Sequence, residues 1–169
     1  LARAARLSRA DLVTGVVGEF PELQGEIGAL YAQRDGEAPE VAAALEAYYR
    51  PRFSGDELPE GRLGRLLAVA DRADSLVGII GIGKEPTGAA DPFALRRAAI
   101  GICRLLDEVY VKVSLAALYG AATAQYPEGQ LAEDAVETAV QFTLTRLRGQ
   151  LKEAGHPTAR IDAVLAAGG

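Results

Sequence analysis

Asp71 and Asp74 lie three residues apart inside the apolar run LGRLLAVADRADSLVGIIGIG, Leu63 to Gly83. On a helix that spacing places both carboxylates on one face. Carboxylates so presented can ligate a divalent cation, and a hydrolytic centre of that kind usually adds imidazoles from neighbouring helices. The chain has a single histidine, His156, far along the sequence from this run. The carboxylates available from earlier segments are Asp11, Glu19 and Glu22. Two readings follow. One is a carboxylate-only Mg²⁺ or Mn²⁺ site. The other is a pair of structural struts, held by caps or cations. Asp74 falls on the stripe Leu63, Leu67, Ala70, Asp74, Val77 and Gly81, so it is expected to be buried. A buried carboxylate needs a donor. Arg96, at the border of the next helix's apolar stripe, is the expected partner, and Asp74 or Asp71 paired with a guanidinium would pin the fourth helix to the fifth.

The second available chemistry is guanidinium recognition of phosphate. Arg50, Arg52, Arg62 and Arg65 cluster around the loop RPRFSGDELPEG, with Tyr49 and Phe53 beside them. Cations interleaved with aromatics suit contact to an RNA backbone with stacking on unpaired bases. The competing reading is a solvated loop whose aromatics pack inward. Arg96, Arg97 and Arg104 form a second basic set, in which Arg97 and Arg104 share the polar face by helical angle. Lys84 in its Gly-bounded loop is a weaker candidate.

Other motifs lose their chemistry on inspection. IIGIGKEPTG lacks the spacing and the preceding strand of a phosphate loop. Gly18 and Gly25 in GEFPELQG read as close-packing glycines. Cys103 stands in an apolar run and reads as a small packing residue. One cysteine excludes an internal disulfide and a thiolate metal cluster. His156 precedes Pro157 in a turn and reads as a surface or capping residue. With one distant histidine there is no nucleophile–base constellation, so no catalytic residue is assigned.

The elements that would position these residues are helical throughout. Apolar spacing predicts a helix from Leu1 to about Val17, a second from Pro21 to Asp35 and a third from Glu40 to Tyr49. Gly36 suits a helix end. The Asp-bearing fourth helix follows the loop at 50–61. Asp91 then Pro92 reads as an acidic N-cap followed by Pro in the first turn of a fifth helix. A sixth spans about Ser114 to Gln125 and a seventh Leu131 to Ala154. The seventh is acidic early and basic late, which complements the helix dipole. A short last helix follows Pro157. VYVKVSL, Val109 to Leu115, is the only strand-like stretch and reads as a connection.

Length and composition set the frame. The chain has 169 residues, 49% hydrophobic and 24% charged, which is ordinary for one folded domain with an appendage. The net charge of −5 argues against a general nucleic-acid binder and restricts any RNA contact to a local basic face. No apolar stretch suits a membrane span, and no signal peptide is visible, so the expectation is no membrane and a reduced, cytoplasmic setting. The chain contains no methionine and opens LARAARLS already in helical pattern, which suggests a piece of a longer polypeptide.

Long phrases of the sequence then carry a resemblance. GEFPELQGEIGALYA (Gly18 to Ala32), DGEAPEVAAALEAYYRPRFSGDELP (Asp35 to Pro59), LLAVADRADSLVGIIGIGKEPTGAADPFALRRAAIGICRLL (Leu66 to Leu106) and the closing AVLAAGG resemble the β subunit of bacterial heterotetrameric glycyl-tRNA synthetase. The resemblance implies an all-α, HD-domain-like helical bundle over 1–126 and additional C-terminal helices over 127–169, leading toward the anticodon-binding region. HD phosphohydrolases hold metal with histidines and a late aspartate. Asp71 occupies the place of that late aspartate, and the other ligands are absent, which implies a degenerate site with no metal. The resemblance further implies a non-catalytic domain that helps recognise tRNA(Gly), near its acceptor arm, for glycylation by the holoenzyme. Its partners would be the synthetase α subunit and other β-subunit domains. ATP and Mg²⁺ would serve the holoenzyme, with no cofactor in this piece. The alternatives are a divergent metal-dependent phosphohydrolase and a purely structural inter-domain scaffold.

Overall fold

The computed structural model describes residues 1–53, 55–109 and 112–166. Among these residues every regular element is helical, and the class is all-α. The chain gathers into two compact units, Leu1–Ala70 and Asp71–Gly169.

The first unit opens with α1 (Ala2–Leu7), a 3₁₀ turn (Ala10–Val13) and α2 (Gly15–Glu19). The single helix expected to Val17 is therefore broken. The cause is local competition for backbone groups. Ser8 Oγ donates to the Ala5 carbonyl at 2.7 Å. Arg9 turns to a left-handed φ of 62°. Thr14 Oγ1 donates to the Asp11 carbonyl and accepts from Val17 N–H, capping α2. A second 3₁₀ turn (Pro21–Leu23) precedes α3 (Glu26–Arg34), so the helix expected from Pro21 begins at Glu26 instead. Gly25 separates the two at a φ of 90°, and a Cβ there would stand 2.9 Å from the Tyr49 ring. Gly18, by contrast, is exposed with nothing within 4 Å of a Cβ, so its expected packing role is absent. The helix α4 (Pro39–Ala47) pairs with α3 and buries Val41, Ala42, Ala44 and Leu45.

A buried carboxylate organises this unit. Asp11 is 4% exposed. Its Oδ2 accepts from Gly25 N–H at 2.7 Å and its Oδ1 from the Tyr49 hydroxyl at 2.8 Å. Tyr48, stacked on Tyr49 at 4.2 Å, accepts from Arg9 N–H through its hydroxyl at 2.9 Å. Burial first, then the bonds to Tyr48 and Asp11, hold the Tyr49 phenol well above its ordinary pKa.

The long helix α5 (Arg62–Gly81) starts in the first unit and ends in the second. The second unit adds α6 (Leu95–Val109), α7 (Leu115–Thr123), α8 (Ala135–Glu153) and α9 (Thr158–Ala166). Its core joins Ala73, Leu76, Val77 and Ile80 of α5 to Leu95, Ala99 and Ile102 of α6, with Tyr119, Ala135 and Ala139. Thr143 Oγ1 donates to the Ala139 carbonyl at 2.9 Å. That leaves Tyr119 to donate to Thr143 Oγ1, at 2.6 Å in the core. Gly81 gives the space for α8 to arrive: a Cβ there would stand 2.9 Å from the Leu131 side chain. Its carbonyl accepts from Ala132 N–H at 2.8 Å. Helices α7 and α8, on the two sides of residue 126, belong to this one unit. Of VYVKVSL, Tyr110 and Val111 lie outside the described residues.

Candidate functional site

Of the stripe its spacing suggests, the Asp-bearing helix buries Leu67, Val77 and Gly81 but not Ala70 or Asp74. The buried face runs through Ala73, Leu76, Val77 and Ile80, while Ala70 and Asp74 are exposed. Both stripes obey helical spacing, and the one with the larger side chains faces the core. Asp74 Oδ1 accepts from the Tyr126 hydroxyl at 2.9 Å. Tyr126 crosses α5 at Gly78, where any Cβ would collide with its phenol oxygen. Arg96 turns elsewhere, so the expected buried Asp74–Arg96 pair is replaced by an exposed carboxylate–phenol latch. Asp71 is half-buried on the same helix.

No group of three or more His, Cys, Asp and Glu able to share a cation occurs among the described residues. Asp11 has given both oxygens to its own chain, and His156 is exposed. Cys103 is half-buried and burial pushes its thiol up to about 11, so it stays protonated at neutral pH.

The basic residues fall into two sets, one in each unit. In the first unit, the loop at 50–61 is stapled to its own surroundings. Arg52 Nη2 donates to the Gln24 carbonyl at 2.7 Å, and its backbone N–H donates to Asp56 Oδ2 at 2.5 Å. Arg50 Nη1 pairs with Glu57 at 3.3 Å. Arg65 Nε donates to the Pro59 carbonyl at 2.9 Å. A depression of about 290 Å³ here is lined by Arg50, Arg52 and Phe53, and by four acids, Glu26, Glu46, Asp56 and Glu57. Arg62 is exposed at the first position of α5. Tyr49 is engaged with Asp11, so Phe53, 62% exposed, is the free ring of this loop.

In the second unit, the set lies where the loop after α5 enters α6. Asp91 caps the helix from four residues back, its Oδ1 accepting from Leu95 N–H at 2.8 Å and its Oδ2 from Arg96 N–H at 3.0 Å. The helix thus starts at Leu95, later than the Asp91–Pro92 signal suggests, after Ala94 takes a φ of 55°. Arg96 reaches back along the loop, Nη2 to the Gly88 carbonyl at 2.5 Å and Nη1 to that of Ala89 at 3.4 Å. Its neighbour Arg97 is exposed and makes no side-chain hydrogen bond or ion pair among the described residues. Phe93, 48% exposed, precedes it at the same junction. Arg104 is half-buried farther along α6. Sequence reasoning missed Phe93 because a lone aromatic after an Asp–Pro helix signal looks like a first-turn packing residue.

Comparison with known proteins adds the context. A family model described as glycyl-tRNA synthetase beta subunit matches residues 1–166. The chain is 52% identical to the glycine–tRNA ligase beta subunit of Aromatoleum aromaticum, over 97% of this chain and 24% of that protein. It is 49% identical to the beta subunit of Desulforamulus reducens over 98% of this chain and 24% of that protein. With the beta subunit of Polaromonas naphthalenivorans the identity is 47%, over 96% and 23%. The chain thus spans about a quarter of the length of the curated relatives it matches.

Proposed function

The chain belongs to the glycyl-tRNA synthetase β subunit family, and we propose that it acts there as a non-catalytic helical module that helps position tRNA(Gly) for glycylation. Its partners on this reading are tRNA(Gly), at the acceptor arm, the synthetase α subunit and the rest of the β polypeptide. ATP and Mg²⁺ serve the α subunit's chemistry and bind elsewhere in the holoenzyme, which works in the cytoplasm. The helical arrangement descends from an HD-type ancestor, with Asp71 as a remnant of the ligand set.

The observation that carries this reading is Arg97. An exposed guanidinium with no partner among the described residues stands on a junction held by the Asp91 cap and the Arg96 bonds. A preorganised free Arg suits phosphate, which it can take with two N–H donors. In the first unit Arg62 is exposed at the first position of α5 and carries no part of this reading. On this reading Arg96 serves RNA indirectly, by shaping its loop, while Arg50, Arg52 and Arg65 hold the first loop to its own chain. Arg104 supports the same helix face as Arg97.

The test is glycylation by the full heterotetramer carrying Arg97→Ala. KM for tRNA should rise about tenfold, as for loss of one charge-assisted phosphate contact. Glycine-dependent ATP–pyrophosphate exchange should not change. An unaltered KM would leave a purely structural scaffold in its place. Mn²⁺-dependent phosphatase activity that is lost in Asp71→Asn would replace it with metal-dependent hydrolysis.

A further inference from the structure

We infer that Phe93 is a stacking platform for an unpaired nucleotide of the bound tRNA, a role that rests on the tRNA reading of Arg97. Three of the four phenylalanines are markedly exposed: Phe20, Phe53 and Phe93. A single exposed aromatic means little by itself. What separates the three is the charge around each. Phe20 stands between Glu19 and Glu22 in sequence. Phe53 lines a depression with four carboxylates, which repels a phosphate backbone, and the arginines there are bonded to their own chain. Phe93 has Arg97 four positions on, exposed and without a partner among the described residues, and Lys84 exposed at the start of the same loop.

The loop carries two carboxylates, Glu85 and Asp91. Both oxygens of Asp91 accept helix N–H groups, so its charge is bound into the cap. Glu85 faces the groove lined by Asp134, Glu137 and Arg146 of the α8 region. The loop is also fixed. Arg96 ties Gly88 and Ala89 to the start of α6, and the Ala90 and Ala94 N–H groups close turns onto Thr87 and Asp91. A ring presented on a fixed loop loses little conformational freedom on binding. An aromatic face beside a free cation takes an unpaired base on the ring and its phosphate on the guanidinium. Duplex RNA offers no base face at that position, so the occupant is a single-stranded or looped segment. Arg96 is then a positioning residue, acting through the loop.

The test is tRNA(Gly) binding and glycylation by the heterotetramer with Phe93→Ala, Phe93→Leu and Phe93→Trp, beside Arg97→Ala, each over a range of salt. Loss of the ring in Phe93→Ala and Phe93→Leu should weaken tRNA binding roughly tenfold, within the range known for base–aromatic stacking. The slope of log affinity against log salt should not change in either. Phe93→Trp should bind as well as the parent. Arg97→Ala should lower the slope by roughly 0.7 to 0.9. All variants should melt with the parent, because the ring is half exposed. If Arg97→Ala weakens binding and the Phe93 variants do not, the stacking role fails and the tRNA reading stands. If neither position matters, both fail together. If Phe93→Leu binds as the parent while Phe93→Ala does not, or if subunit assembly and not tRNA affinity is lost, the ring meets a protein surface and the inference is overturned.

Discussion

The loops at 50–61 and 84–94 each have arginines in or beside them, and those arginines are in opposite states of satisfaction. The loop at 50–61 spends its arginines internally: Arg52 on the Gln24 carbonyl, Arg65 on the Pro59 carbonyl, Arg50 on Glu57. Beside the loop at 84–94, Arg96 of α6 bonds back to the loop's Gly88 and Ala89 carbonyls, and the next residue, Arg97, stays unpaired among the described residues. An arginine count does not find a binding surface. What matters is which guanidiniums remain after the chain has satisfied its own carbonyls and carboxylates.

The contrast can be broken at several points. The largest effect is expected from Asp11→Ala, because the first loop hangs from the Gln24–Gly25 backbone and the Tyr49 side chain that Asp11 holds. Removing the carboxylate strands the buried Gly25 N–H and takes one bond from the Tyr49 hydroxyl, and unfolding should lose about 3 kcal/mol in a urea titration. A loss under about 1 kcal/mol would show that Asp11 is a bystander. Next comes Gly81→Ala, just ahead of the second loop. The new methyl meets Leu131 and Ala135, and overpacking should cost about 2 kcal/mol. Arg96→Ala should cost about 1 kcal/mol, speed amide exchange across 86–90, and weaken tRNA binding through the loop. Arg52→Ala should be similarly destabilising and leave tRNA affinity alone, which separates an internal staple from a site-shaping one.

The smallest effect concerns α9. Arg148 pairs with Asp162 at 2.7 Å, and that bond holds the Asp162 carboxyl below its ordinary pKa. A carboxyl depressed in the folded state stabilises folding above its unfolded pKa, and the contribution is lost as pH falls through the depressed value. Amide exchange in α9 should therefore rise on acidification through that range. Asp162→Asn should abolish the pH dependence while leaving the rest of the second unit unchanged. The pair is exposed, so the effect is small and salt-sensitive.

Much of this was legible in the sequence, and the departures share one cause. The helical class, the bounds of α4, α5 and α7, the end of α8 and the start of α9 follow from apolar period and from Pro, Gly and Ser signals, while α8 begins at Ala135 and not at the expected Leu131. The first helix broke where Ser8 and Thr14 took backbone partners, which an apolar pattern cannot register. Asp74 appeared buried because two adjacent stripes of α5 both satisfy helical spacing, and only packing chooses between them. Arg96 looked like Asp74's partner because both lay near apolar faces; its actual partners, the Gly88 and Ala89 carbonyls, carry no side-chain signature. The candidate site was therefore visible as a set of arginines and illegible as a geometry.

The central claim is that the second loop, and not the first, meets tRNA phosphate. The most direct measurement compares the salt dependence of tRNA(Gly) binding by the heterotetramer with Arg97→Ala and with Arg52→Ala. Arg97→Ala should lower the slope by roughly 0.7 to 0.9 and Arg52→Ala should leave it unchanged. A slope that falls for Arg52→Ala and stays the same for Arg97→Ala would contradict the account.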